Sequence, residues 1–374
     1  MKKAIVAGHI CLDITPVFPN QISENIQEVL LPGKLIQMTG VDVHTGGAVA
    51  NTGLAMKILG GNVRLMGKIG DDAFGKMVLE IVKGYGAEQG MIVSGQSSTS
   101  YSVVLAVPGN DRIFLHDPGA NNTFCEDDLD WAQIEEADLF HFGYPPLMRR
   151  MYQNNGEELC CILKRVKDAG CAVSLDMAAI DPTSEAGQED WRKLLERVLP
   201  YVDFFVPSVE ELCYMLDRSQ YEAWNRKAAG RDITEVIHWE DVDILGQQVL
   251  SLGTKIVLIK CGAPGIYYRS ADAQAVAGLC RRLELKTEEW AEKQGFERSY
   301  VPEKICSGTG AGDTSIAAFL TSVLNGMSME EALQMATATG ACCVAAYDAL
   351  GGLKTFAELK EKIRNGWEKN TCDF

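Results

Sequence analysis

The sequence predicts an α/β protein with a mostly parallel central sheet. Apolar runs of strand length alternate with segments of helical spacing over most of the chain. Near-continuous apolar strands separated by helices are typical of a parallel sheet covered on both faces, and such sheets bind ligands at the carboxyl ends of their strands. The predicted strands are Ala4–Ala7, Asp138–Phe142, Ala172–Leu175, Asp203–Val206 and Lys255–Ile259.

Helical spacing of apolar residues marks most segments between these strands. The predicted helices cover about residues 146–167, 190–199, 210–216 and 241–252. Two early segments, about 34–45 and 100–117, lack this spacing and are predicted as β structure. The second contains Pro108-Gly109-Asn110-Asp111, a hairpin-turn signal.

The composition excludes several classes of protein. Of 374 residues, 47% are hydrophobic, which is enough for a packed core. The net charge is −16 without any basic run, so nucleic acid and anionic membrane are not expected partners. No apolar run approaches the roughly 18–20 residues that span a bilayer. The 12 cysteines form no Cys-x-x-Cys pair and are expected to be reduced thiols of a cytoplasmic protein.

Two charged stretches, 217–240 and 271–303, are predicted to be insertions into the alternating pattern. The second one shows helical spacing at Leu283, Leu285 and Trp290. The sequence assigns neither stretch a role.

The most informative segment is Cys306–Asp313, a glycine-rich turn that ends in a carboxylate. An apolar run with helical spacing follows, so the turn opens a helix whose free N–H groups form an anion site. A carboxylate belongs there if Asp313 takes a proton from a hydroxyl group while the amides hold a migrating phosphoryl group. An ordinary helix start with Asp in its first turn is the alternative.

A second glycine-rich segment favours the catalytic interpretation. The residues Gly46-Gly47-Ala48-Val49-Ala50-Asn51-Thr52 lead into a helical pattern, and Ile69-Gly70-Asp71-Asp72-Ala73-Phe74-Gly75 follows. Taken with the first motif, in this order and at this separation, the chain resembles the ribokinase-like (PfkB) family of carbohydrate kinases. The resemblance runs from about Ile5 to about Gly352.

The resemblance implies a three-layer α/β/α sandwich with a small β lid, built as a single kinase domain over residues 1–374. It implies a phosphotransferase that uses ATP and Mg²⁺ to phosphorylate a hydroxyl group of a small sugar or polyol. It also implies a homodimer through the lid sheet. In this family Asp313 would be the general base, and the amides of Gly310, Ala311 and Gly312 would form the anion hole.

The resemblance assigns Asp13, Gly46, Gly47 and Asn51 to the sugar. A carboxylate accepts hydrogen bonds from adjacent hydroxyls, glycine lets the backbone approach the sugar, and an amide both donates and accepts. We expect Asp13 to end the first strand. An Asx turn is the alternative for Asp13, and a helix cap is the alternative for Asn51.

The resemblance also assigns a nucleotide site and a metal site. The residues assigned to the nucleotide are Lys260, Gly262, Gly265, Gly308 and Thr337. Glu211 corresponds to a family glutamate that orders water around Mg²⁺, an ion that keeps much of its water shell. A surface lysine and a surface glutamate are the alternatives for Lys260 and Glu211.

Four residues depart from the family pattern. Ser208 replaces an Asn that usually precedes the metal-site glutamate. Ser307 stands where the family often has an Asp tied to a monovalent cation, so we expect a weak response to potassium. Cys11 and Ala48 replace the Asn and Lys of ribokinase proper, so the sequence does not favour ribose.

Three other functions compete with a sugar kinase. They are a nucleoside kinase of the same family, a catalytically silent sugar-binding or regulatory protein, and a hydride-transfer enzyme. The spacing of Gly308, Gly310 and Gly312 does not match the dinucleotide fingerprint. The stretch Gly70–Lys76 nearly forms a Walker A loop, but Met77 follows and cannot ligate Mg²⁺, so we reject it as a phosphate site.

Overall fold

The computed structural model describes residues 1–19, 26–107 and 112–371. The strands are β1 Lys3–Gly8, β2 Cys11–Val17, β3 Gly40–Gly46, β4 Asn62–Gly70, β5 Ile92–Ser94, β6 Tyr101–Leu105, β7 Ile113–Asp117, β8 Leu139–Gly143, β9 Ala172–Asp176, β10 Phe204–Phe205, β11 Ile256–Lys260, β12 Gly265–Ser270 and β13 Gln294–Arg298.

The structure contains α-helices at all four predicted positions, and further α-helices elsewhere. They are α1 Ile26–Val29, α2 Ala48–Ile58, α3 Ala73–Gly84, α4 Trp131–Glu135, α5 Arg149–Asp168, α6 Trp191–Val198, α7 Val209–Leu216, α8 Arg218–Ala228, α9 Trp239–Ser251, α10 Ala273–Leu283, α11 Thr287–Trp290, α12 Ala311–Leu324, α13 Met329–Cys343 and α14 Phe356–Arg364. Non-helical backbone interrupts α5 at residues 153–156. No helix within the described ranges is both long and apolar enough to cross a membrane.

The main sheet has nine strands in the order β13-β12-β11-β10-β9-β8-β1-β4-β5. Seven strands, from β11 to β5 in this order, pair in parallel, and β12 and β13 add an antiparallel edge. Alternate side chains face two cores: Val6 of β1 lies in the core shared with α2, α12 and α13, and Ile5 in the core shared with α5, α6 and α9. The predicted three-layer sandwich is confirmed.

A second sheet, in the order β3-β2-β6-β7, forms the lid. Strands β6 and β7 pair antiparallel, as the hairpin signal predicts, although the turn itself, residues 108–111, lies outside the described residues. The predicted segment 34–45 becomes a strand only from Gly40 onward.

Our expectation that Asp13 ends the first strand is wrong. Strand β1 ends at Gly8, which has a φ of +124°, and the backbone of Gly143 leaves no room there for a Cβ. The His9 amide donates to the Gly143 carbonyl at 3.1 Å, and the chain then leaves the main sheet. Asp13 lies inside β2, a strand of the lid.

The two stretches predicted as insertions pack onto the domain. Trp224 of α8 is buried in the same core as α7. Trp290 of α11 is fully buried, with its ring centroid 5.9 Å from Phe319 and 6.3 Å from Phe204. Because β13 also belongs to the second stretch, that stretch supplies one edge of the main sheet.

Candidate active site

A cavity of about 770 Å³ lies between the carboxyl ends of the central strands and the inner face of the lid. Its walls come from the lid strands, the starts of α2 and α12, and the loops after β8 and β9. The predicted site residues that line it are Asp13, Gly47, Asn51, Glu211, Gly310 and Asp313. Residues far apart in the sequence therefore meet around one space.

Asp313 lies in the first turn of α12, and only 4% of it is exposed. Asn51 Nδ2 donates to its Oδ2 at 2.9 Å, and the Tyr144 hydroxyl donates to its Oδ1 at 2.7 Å. Two different elements, α2 and the loop after β8, therefore hold the orientation of this carboxylate.

Burial raises the pKa of the Asp313 carboxyl above its ordinary value, and the nearby Glu211 charge adds to this effect. The hydrogen bonds from Tyr144 and Asn51 and the charge of Lys260 act in the opposite direction. Burial and the Asp313 charge raise the pKa of the Tyr144 hydroxyl well above its ordinary value, so Tyr144 remains a donor. The raised pKa makes Asp313 a stronger base than an exposed aspartate.

The turn before α12 is a tight glycine turn that opens the helix. Gly310 is the N-cap with a φ of +74°, and Ala349 leaves no room for a Cβ there. The first N–H groups of a helix have no partner within the helix, although the Ala311 amide here donates to the Gly308 carbonyl at 3.3 Å. Ser307 Oγ accepts from the Thr309 amide at 3.1 Å and fixes the start of the turn.

The sugar-site prediction concerns residues at the junction of the lid and α2. Gly46 lies opposite Cys11 in the lid, and a Cβ at Gly46 would overlap the Asp13 carboxylate. Gly47 has a φ of +84°, and a Cβ there would crowd His9. Burial raises the pKa of Asp13, although contacts with Cys11 and Ser102 lower it.

Two alternatives from the sequence are now excluded. Asp13 belongs to a regular strand and not to an Asx turn at a strand end. Gly47, not Asn51, is the N-cap of α2, and the Asn51 side chain bonds Asp313 across the site.

Glu211 and Lys260 come from two other elements, α7 and β11. The Ser208 amide donates to Glu211 Oε2 at 2.7 Å, which closes a capping box at the start of α7. Lys260 Nζ forms an ion pair with Asp176 Oδ1 at 2.7 Å, and its stem packs against Gly312. Burial alone would lower the pKa of Lys260, but the carboxylates of Asp176 and Glu211 raise it.

Lys260 and the other four residues assigned to the nucleotide all lie outside the lining of this cavity. Gly262 has a φ of +62° and borders Asp232 and Thr234 of the first predicted insertion. Gly265 begins β12 against the backbone of β13. Thr337 is buried in α13, and its hydroxyl donates to the Leu333 carbonyl at 3.2 Å. The fourth residue, Gly308, lies beside Arg112.

Sequence reasoning missed Tyr144, Asp176, His9 and His116. Tyr144 and Asp176 stand at the ends of predicted strands, so the rule that ligands bind at strand ends could have found both. His9 Nε2 and His116 Nε2 lie 3.3 Å apart at the lid side of the cavity, and the sequence gives no signal for that pairing.

The stretch that resembles a Walker A loop, Gly70–Lys76, makes hydrogen bonds that hold two parts of the fold together. The Asp72 carboxylate caps α3 through the Gly75 amide at 2.8 Å and accepts from the Thr99 amide at 2.7 Å. These bonds join α3 to the segment before β6.

The chain matches a known protein family over most of its length. The model of the pfkB family carbohydrate kinases matches residues 7–355. An uncharacterized sugar kinase of Archaeoglobus fulgidus is 23% identical over 80% of this chain and 98% of its own length. Fructokinase-2 of Oryza sativa subsp. japonica is 25% identical over 85% of this chain and 84% of its own length.

A solved structure shows the same fold. The ribokinase of Arabidopsis thaliana, complexed with ribose and ATP, superposes with a TM-score of 0.68 at 20% identity. The superposition covers 96% of this chain and 98% of that chain. The expected ribokinase-like architecture is therefore confirmed over nearly the full length.

Proposed function

The chain belongs to the pfkB family of carbohydrate kinases, and from this membership we propose that it transfers the terminal phosphoryl group of ATP to a hydroxyl group of a small sugar. One observation carries the proposal beyond the family. The buried Asp313 carboxylate lies at the start of α12, beside the glycine turn, and faces the same cavity as Asp13. In this proposal the base lies next to an anion site and across the cavity from the residue that binds the acceptor.

In this proposal Asp313 accepts the proton of the attacking hydroxyl. Its raised pKa favours proton uptake, and Asn51 and Tyr144 fix its orientation. The amides of Gly310, Ala311 and Gly312 hold the charge of the transferring phosphoryl group at the positive end of α12.

The sugar is proposed to lie between the lid and α2. Asp13 accepts hydrogen bonds from sugar hydroxyls, and the absence of side chains at Gly46 and Gly47 leaves room for the Asp13 carboxylate and for His9 beside the sugar. Asn51 has an amide that reaches both this space and Asp313.

The nucleotide phosphates are proposed to extend from the glycine turn past Gly308 toward Gly262 and Gly265, with Lys260 beneath them. Thr337 is buried in α13, whose apolar side chains share a core with those of α12 beside this path. The path follows the carboxyl ends of β11 and its neighbours.

The acidic residues at the site fit Mg²⁺. Glu211 lines the cavity, and the fully buried Asp176 Oδ2 has no partner among the described residues. Neither forms a three-ligand cage with other described residues, as expected for an ion that protein usually holds through one or two carboxylates and water. Glu211, with Asp176 behind it, would hold the ion, which when bound neutralises charge on the phosphate oxygens.

A panel of sugars and nucleosides with ATP and Mg²⁺ tests the proposal. ADP release and the mass of the phosphorylated product are measured for each acceptor, with Asp313→Asn as the blank. We expect sugar-dependent ADP release well above this blank. If sugars bind without any ADP release, the protein is the catalytically silent alternative.

A nucleoside kinase is the second candidate, because part of the cavity wall is apolar. The loops after β8 and β9 contribute Leu147, Ala178 and Ile180 to it, and α5 contributes Tyr152. Such a wall suits a flat apolar group attached to a sugar. Release of ADP with nucleosides alone would favour this candidate.

We also propose a homodimer through the lid. By strand alternation Val41, Ile113 and Leu115 share the outer lid face, and Leu115 is 54% exposed. An exposed apolar face of this kind marks an interface. We expect Leu115→Glu to shift the sedimentation mass from dimer to monomer, whereas Ile244→Glu on α9, also 54% exposed, leaves it unchanged. A monomeric unmodified protein would refute the dimer.

A further inference from the structure

Strand β7 directs a row of side chains into the cavity. Alternate residues of a strand face the same side, and Phe114 and His116 of β7 line the cavity together with Arg112, which directly precedes the strand, while Ile113 and Leu115 face outward. The guanidinium of Arg112 lies 6.0 Å from the centroid of the Phe114 ring. The lid therefore presents an arginine to the reaction space.

Arg112 reaches the anion site itself. Its Nη1 donates to Ser307 Oγ at 3.1 Å, and its Nη2 lies 3.4 Å from the position that a Cβ of Gly308 would occupy. Ser307 is the residue that fixes the start of the glycine turn through Thr309. The contact therefore joins the lid to the turn that precedes Gly310.

Arg112 brings positive charge to a cavity whose other charged lining residues are carboxylates. Among the described residues that line the cavity, Arg112 is the only lysine or arginine. The carboxylates that line it are Asp13, Asp181, Glu211 and Asp313. Lys260 lies behind Gly312, but its charge is already paired with Asp176 at 2.7 Å. An anionic phosphoryl group entering this space meets mainly like charge.

We propose that Arg112 is a catalytic residue that contacts the transferring phosphoryl group from the lid side. This inference rests on the proposed function. The sugar oxygen bonds to the γ-phosphorus, the bond from that phosphorus to the β–γ bridging oxygen breaks, the hydroxyl proton passes to Asp313, and ADP leaves. Arg112 donates N–H groups to the phosphoryl oxygens throughout and is not consumed.

The chemistry of the guanidinium suits this role. It carries five N–H donors in a planar fork, so a bond to Ser307 is compatible with further bonds to phosphate oxygens. Its charge stays fixed at every working pH. The charge comes from the lid and the base from α12, so the two groups would reach the phosphoryl group from different elements.

The test compares Arg112→Gln, Arg112→Lys and Arg112→Ala on the best acceptor of the unmodified enzyme. We expect Arg112→Gln to lower kcat by about 10²–10³-fold, the cost of removing one preorganised donor of an anion hole. The KM values for sugar and ATP should change much less. Arg112→Lys should retain more activity than Arg112→Gln, and added guanidinium ion should partly restore kcat to Arg112→Ala.

Arg192→Gln is the matched control. Arg192 is exposed on α6, and among the described residues its ion-pair partner is Glu196 of the same helix. This variant should keep the kcat of the unmodified enzyme, with or without guanidinium ion. An Arg112→Gln enzyme with near-normal kcat, or one with a raised sugar KM alone, would overturn the catalytic role and leave only a structural contact with Ser307. If the unmodified enzyme phosphorylates no acceptor, the proposed function has failed, which is a separate outcome.

Discussion

The hydroxyl of Tyr144 donates a 2.7 Å hydrogen bond to Oδ1 of Asp313, a residue 169 positions later in the chain. Tyr144 adopts a left-handed conformation with a φ of +67°, directly after β8. Such a conformation costs a bulky residue about 1–3 kcal/mol and is found mainly at functional sites. We infer that the left-handed conformation of Tyr144 directs its hydroxyl at the Asp313 carboxylate.

We predict that Tyr144→Phe moves the acid limb of the pH profile of kcat/KM to higher pH. The base must be deprotonated, so activity falls as pH drops through its pKa. Loss of a hydrogen bond that lowers the pKa of Asp313 raises that pKa further. A bond to a charged group contributes about 1.5–3 kcal/mol, equivalent to about one to two pH units.

Tyr85→Phe, at the end of α3, is the control for this experiment and should leave the limb in place. A Tyr144→Phe enzyme with an unmoved limb and a uniformly reduced kcat would show that Tyr144 only packs the loop.

Asp313→Asn is expected to abolish turnover while ATP still binds. Removing a general base costs about 10²–10⁴-fold in rate. The amide has nearly the shape of the carboxylate, so the glycine turn should remain intact. Single-turnover rates and calorimetric ATP binding measure the two properties separately, and near-full turnover would mean that another group is the base.

Asp13→Ala should raise the KM for the sugar far more than the KM for ATP. A charged acceptor of sugar hydroxyls contributes about 1.5–3 kcal/mol, or roughly 10–150-fold in KM. Asp42→Ala provides the control, because Asp42 is exposed on the neighbouring strand β3. Equal weakening toward both substrates would indicate that Asp13 acts only through the lid structure.

Gly46→Ala should also weaken sugar binding, through Asp13. The added Cβ would overlap the Asp13 carboxylate and displace it. Gly84→Ala at the end of α3, where a Cβ meets no atom within 4 Å, should leave the KM unchanged. An unchanged sugar KM in Gly46→Ala would mean that the position of Asp13 does not control binding.

The reaction should require Mg²⁺ and respond weakly to potassium. Charge on the phosphate oxygens must be neutralised, whereas Ser307 offers a monovalent ion only a neutral hydroxyl, to which Arg112 already donates. Initial rates at fixed ionic strength, with potassium exchanged for a bulky organic cation, measure the response. A many-fold rise with potassium would show that other groups build a cation site.

The sequence predicts the layers of this fold well because local burial leaves a local signal. Strands covered on both faces, such as β11, are nearly continuously apolar, and helices between them show one apolar face. The glycine turn before α12 is also visible, since small residues and a following amphipathic run are adjacent in the chain. Each of these features is set by residues that are close together in the sequence, so the sequence alone shows it.

The boundary between the main sheet and the lid was not predictable in this way. The apolar pattern continues past Gly8, so β1 and β2 appear as one strand ending at Asp13. Only the close approach of Gly143 to Gly8 shows why the chain must turn there. The turn depends on a residue of another strand, β8.

By itself the sequence determined the α/β/α layers, the lid, the kinase family and the identity of the carboxylate in the glycine turn. Only the tertiary structure decided which side chains surround that carboxylate. Asn51, Tyr144 and Arg112 reach the site from three elements distant in sequence. The physical reason is that hydrophobic periodicity records whether a residue is buried, whereas the partner of a buried polar group depends on how whole elements pack together.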